Sequence, residues 1–193
     1  MPSPLAHALG GVAVVLVADL VPRWHEPRVP PDAGNSRLLV ACACLAALPD
    51  ADLLLPIAHR TMTHSVVAVA TVGLFMIIAA AVTGQVTLKI GVTCVAAYAS
   101  HLLFDWLQTD PTAPHGLRIL WPFSSTWFIS DWNIFRGTER SHFLELATMK
   151  NNLVAVAQEL AILLPVVGGL WLVRVKTAAR FAAEMSRRNH PPQ

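Results

Sequence analysis

Three short stretches of this chain carry residue types that bind and polarise metal ions: Pro49-Asp50-Ala51-Asp52, His59-Arg60-Thr61-Met62-Thr63-His64-Ser65 and Ser100-His101-Leu102-Leu103-Phe104-Asp105. Imidazole and carboxylate together suit a divalent cation, and the imidazoles favour zinc, as one ion or two. Such an ion lowers the pKa of its water towards about 7 and so makes a nucleophile at neutral pH. His101 and Asp105 are four residues apart, share one helix face and can grip one ion. Asp50 and Asp52 are two apart; in an extended segment both point to one side, and Pro49 stops the helix before them. Thr63 is the expected N-cap of the next helix, which would put the His64 ring near a positive helix end and favour its neutral, ligating form.

The candidate metal ligands are therefore His7, Asp50, Asp52, His64, His101 and Asp105, with His142 and Glu145 as further members from a long loop. The candidate catalytic residues are Asp52, as general base where it is not a ligand, His59, and Arg60, whose planar fork suits phosphate or carboxylate. Each has a plainer reading. His101 with Asp105 is also an ordinary hydrogen-bonded pair, the two acids a solvated helix end, and Arg60 the partner of one of them.

These polar residues sit in a chain of 193 residues that is 54% hydrophobic and only 13% Asp, Glu, Lys and Arg. Its mean hydropathy is +0.52. Soluble domains carry about 25% charged residues, so the composition points to an integral membrane protein. No basic tract interleaved with aromatics is present, which argues against nucleic acid as a partner. Cys42, Cys44 and Cys94 lie in apolar runs without C-x-x-C spacing and read as small buried hydrophobes. The N-terminus lacks the basic region of a cleaved signal peptide.

Apolar segments at 5–21, 38–55, 65–82, 88–107 and 153–173 predict an all-α polytopic bundle of about five spans, forming one domain. The second is short or broken, because 38–48 alone falls below the roughly 20 residues of a crossing helix. Residues 110–152 form the one long connection, rich in Trp and Phe and expected at the membrane surface, partly helical near 140–149. Residues 174–193 are a basic tail expected to extend the last helix into water. Five crossings would bring His7, Asp50, Asp52, His59, His64, His101 and Asp105 to one face, with His25 and His190 on the other. Nine Lys and Arg fall on the tail's side and five on the other. The positive-inside rule then makes the tail cytoplasmic and the cluster extracytoplasmic, sunk into the outer half of the bilayer.

Over about residues 5–125, the three motifs and the opening His7-Ala8-Leu9-Gly10 resemble the YdjM-like family of bacterial inner-membrane proteins, described as metal-dependent hydrolases. Thr61 stands where that family's pattern has glycine. The resemblance implies an inner-membrane, metal-dependent hydrolase. A site at this depth suggests a membrane lipid or lipid-linked phosphoester as substrate. The alternatives are a metal-ion or proton-coupled transporter and a non-catalytic membrane protein with a stabilising polar cluster. His-Glu-x-x-His, a P-loop and Gly-x-Ser-x-Gly are all missing, which excludes those mechanisms. The oligomeric state is not encoded in any of these features.

Overall fold

A computed structural model describes residues 1–21, 36–54, 59–110, 113–139, 142 and 144–189. Of the connection expected at 22–37, residues 22–35, with His25, lie outside the described residues; so do Leu55, Arg140 and His190. The described chain is all-helical: α1 (Pro4–Leu20), α2 (Ser36–Ala47), a 3-10 helix (Leu48–Leu54), α3 (Val66–Thr83), α4 (Leu88–Trp106) and α5 (Leu146–Asn189). No strand occurs among the described residues; there are only two isolated bridges, Gln108 with Phe135 and Leu117 with Phe128, which tie the long connection to itself and to the end of α4.

Local chemistry sets the ends of these helices. Ser3 caps α1 by accepting from the Ala6 amide, and Thr87 caps α4 in the same way on Ile90. Ser65, not Thr63, caps α3, accepting from Ala68. Gly84 closes α3 in a left-handed conformation that a side chain would strain. Pro49, with no amide hydrogen, ends α2 after twelve residues. That is about 18 Å of helix, so the second segment is broken as expected. α5 runs on through the basic tail as expected, and it also starts earlier than the fifth segment: residues 153–173 are the middle of one 44-residue helix that takes in the end of the long connection.

By length and composition, α3 and α5 are each able to cross a membrane, and α1 is a shorter apolar helix. Among the described residues these two helices fall short of the five spans expected. No residue of α3 is buried, and the helix presents Leu74, Phe75, Ile77, Ile78 and Val82 outward. α1 is the central helix, packed on α2, α4 and α5, while α3 leans on α4. Val15, Cys42, Cys94 and Ala97 form the core between α1, α2 and α4.

Polar contacts mark the two ends of the bundle. At one end Asp19 of α1 meets Lys89 of α4 at 3.2 Å and Arg174 of α5 at 3.0 Å. At the other, Glu159 of α5, almost fully buried, accepts from the Ser3 amide at 2.8 Å and from the Ser3 hydroxyl. Ser3 to Asp19 and Glu159 to Arg174 are each about 23 Å of helix, so α5 runs parallel to α1 in matched register. Glu159 thereby anchors the first turn of α1, which carries His7. Hydrogen bonds to a charged group contribute about 1.5–3 kcal/mol. Glu159→Ala is expected to destabilise the protein by about 3 kcal/mol, read as a fall in Tm in detergent; an unchanged Tm would remove this anchor.

Candidate metal centre

Four atoms define the centre: His64 Nε2, His101 Nε2, Asp50 Oδ1 and Asp105 Oδ2. The two imidazole nitrogens are 3.0 Å apart. Asp50 Oδ1 lies 3.6 Å from His64 Nε2 and 3.5 Å from His101 Nε2. Asp105 Oδ2 lies 3.4 Å from each of them. A tetrahedral ion with bonds near 2.0–2.1 Å spaces its ligands about 3.3 Å apart. The five separations above, 3.0–3.6 Å, lie near that value, and His64, His101 and Asp105 are fully buried.

The tautomers follow from the outer bonds. Ala46, near the end of α2, has a carbonyl that can only accept, so the His101 Nδ1–H donates to it at 2.7 Å. Neutral His101 then presents a bare lone pair at Nε2. The Thr63 hydroxyl donates to Asp52 Oδ2 at 2.7 Å, and its oxygen accepts from His64 Nδ1 at 2.8 Å. Neutral His64 also presents a bare Nε2. Two lone pairs and two carboxylate oxygens thus face one point, an arrangement that repels itself unless a cation or a proton sits among them.

Asp52 stands behind the His64 ring. Its oxygens accept from His59 Nδ1 at 2.7 Å and from Thr63. Asp50 and Asp52 do not point to one side as an extended segment would require. They lie in the 3-10 helix, where two residues turn the chain by about 240°, so Asp50 faces the centre and Asp52 faces the support. The carboxylates of Asp50, Asp52 and Asp105 stand within 3.6 Å of the His64 ring nitrogens and attract a divalent ion there.

His7 stacks on His101 with ring centroids 3.7 Å apart, and its Nε2 is 3.6 Å from Asp105 Oδ1. Among the described residues neither His7 nitrogen and neither Asp105 oxygen makes a hydrogen bond. Such orphaned buried groups are rare without a ligand. His7, Asp50, Asp52, His59, His64, His101 and Asp105 therefore all meet at one end of the bundle. The YdjM inner membrane protein family matches residues 1–179.

The chain belongs to that family. Neither a curated protein nor a solved structure matches it. The buried His and Asp groups of this YdjM-family protein are able to hold a metal ion, His7 with His101 and Asp105 as one group and Asp50 with His59 and His64 as another.

Other expectations for the site meet a different outcome. His142 and Glu145 stay on the surface, 3.2 Å from each other and 72% and 65% exposed, and do not reach the buried cluster. Arg60 is paired, but with Asp110 rather than with Asp50 or Asp52. The His115 Nδ1–H donates to the Asp110 carbonyl at 2.8 Å, away from the centre. Three participants escaped the sequence reading. Asp110 holds Arg60 and also accepts from the Gly116 amide at 2.9 Å. The Ala46 carbonyl orients His101. Gln108 is fully buried, and neither atom of its amide is hydrogen-bonded among the described residues. Gln108 follows Asp105 by three residues and His101 by seven, so the helical period that joined those two also pointed to it.

Proposed function

We propose that this protein is a membrane-embedded metal-dependent hydrolase acting on a lipid or lipid-linked phosphoester. The observation that carries the reading is the set of four buried donor atoms in which each imidazole nitrogen lies 3.0–3.6 Å from the other three donors. His64, His101, Asp50 and Asp105 hold the ion, zinc by the nature of the donors, and His7 stands beside them as a further donor. Four protein donors would fill a tetrahedral zinc, so one of them must give up its place, or a fifth position open, for a bound zinc to supply a water ionised near neutral pH and polarise the phosphoryl oxygen.

The chain does the rest. Asp52 and Thr63 hold the His64 ring in its ligating tautomer, and the Ala46 carbonyl does the same for His101. His59, bonded to Asp52 and 24% exposed, is the group placed to carry a proton between the centre and solvent. Arg60, fixed by Asp110, faces the anionic part of the substrate. In this reading the bundle crosses the membrane five times, the cluster opens to the extracytoplasmic side and α5 ends in the cytoplasm. Exposed Phe123 and Trp132 on the long connection suit the interface. A transporter needs polar groups continuing between the two ends, whereas the core there is Val15, Cys42, Cys94 and Ala97.

Metal analysis of purified protein, joined to a panel of phosphoesters and lipid phosphoesters, tests the proposal; protein that carries no stoichiometric ion overturns it. Asp52→Asn keeps the side-chain shape but weakens its acceptance from His59 and Thr63. Loss of such an outer partner costs about 10–100-fold in metal affinity, and competition against a zinc chelator should show that drop. Wild-type affinity in this variant would remove the orienting role.

A further inference from the structure

A cavity of about 710 Å³ opens beside the centre, lined by His59, Arg60, Asp110, Arg136, Glu139 and Asn152 among others. Sites for small molecules span about 300–1,000 Å³. His59 joins the two places: its Nδ1 bonds Asp52, and its ring centroid is 5.0 Å from that of His64. The walls are held firmly. The Phe135 carbonyl accepts from the Thr109 amide at 2.8 Å, and Asn152 pairs with both the amide and the carbonyl of Glu139 at 2.8 Å. The Arg60 guanidinium is committed to Asp110. Arg136 is not committed: among the described residues its guanidinium makes no hydrogen bond or ion pair, although the buried Phe135 next to it fixes its backbone. An unengaged, planar cation in the wall of a cavity beside a hydrolytic centre fits a phosphate oxygen pair.

We propose that this cavity binds an anionic group in the head of the substrate, a phosphate beyond the scissile bond, with Arg136 as its cationic anchor. The substrate class becomes a lipid diphosphate rather than a lipid monophosphate. The identification of the head as substrate rests on the hydrolase reading above; the anion site itself does not.

The experiment separates the two. Metal-free protein in detergent is titrated with inorganic phosphate by calorimetry, as wild type, Arg136→Gln and Gly168→Ala. The expected result is binding to wild type, unchanged in Gly168→Ala and weakened about tenfold, or 1.4 kcal/mol, in Arg136→Gln, with partial rescue by Arg136→Lys. Absence of binding, or equal binding by Arg136→Gln, overturns the site. A short-chain lipid diphosphate should then displace the bound phosphate more strongly than the matching lipid monophosphate does. Equal displacement by the two overturns the diphosphate assignment. Zinc-loaded protein that turns over neither lipid sinks the hydrolase reading, and the phosphate titration still decides the cavity.

Discussion

His101→Ala should leave the protein unable to keep stoichiometric metal and without measurable turnover. His101 contributes one of the four facing donors, and its Nδ1–H satisfies the Ala46 carbonyl. Structural zinc sites contribute about 10–16 kcal/mol over four ligands, or roughly 3–4 kcal/mol each. Losing one therefore weakens binding by about 10²–10³-fold. Alanine also removes the ring that stacks on His7, so part of any loss would reflect damaged packing. Asp50→Asn separates the effects, because it keeps the volume and removes the charge from the same point. Metal content by mass spectrometry, together with Tm, distinguishes them: Asp50→Asn should lose metal with a smaller change in the apo Tm than His101→Ala. A His101→Ala protein that still binds one ion per chain and turns over substrate like wild type would refute this centre.

Much of this arrangement was legible in the sequence because two periodicities agree. The apolar runs locate helices, and short connections force neighbouring helices to run antiparallel. His7 at the start of α1, Asp50 after α2, His64 before α3 and His101 and Asp105 at the end of α4 must then share one end of the bundle. The i, i+4 spacing of His101 and Asp105 sets them on one face without any tertiary knowledge. The division of labour between Asp50 and Asp52 was not legible. It depends on whether the turn after Pro49 is extended or 3-10, and a single residue's rotation exchanges the inward carboxylate for the supporting one. The Arg60–Asp110 and Ser3–Glu159 pairs were hidden for another reason. Their partners lie 50 and 156 residues apart, and no local pattern links them. The cap of α3 was misplaced by two residues because Thr63 has a stronger claim on it: its hydroxyl bridges Asp52 and His64. The reach of α5 past residue 173 was expected of the basic tail; its start ahead of residue 153 was not, because apolar periodicity marks a buried stripe, while a polar end continues as helix in the absence of a breaker.

The second large effect is expected from a residue that touches no ligand. Gly11→Ala should destabilise the protein by about 3 kcal/mol, the upper part of the usual cost of overpacking. A Cβ at Gly11 would meet the Cys42 carbonyl oxygen at 2.3 Å and the Ala46 side chain at 2.9 Å. The first of these is backbone inside α2 and cannot swing aside, so α1 and α2 must separate. Ala46 is also the residue whose carbonyl orients His101, and His7 sits one turn up α1 from Gly11. Separation therefore moves two groups of the centre at once, and metal affinity should fall by about 10–100-fold, as for other outer-partner losses. Gly168→Ala is the matching control. No atom lies within 4 Å of a Cβ there, and alanine in a helix interior is favoured over glycine by about 0.5–1 kcal/mol, so this variant should gain slightly in Tm and bind metal as wild type does. Thermal denaturation and a zinc titration of both variants decide the matter. If Gly11→Ala matched wild type in both, the close approach of α1 to α2 would be wrong, and with it the support beneath His101.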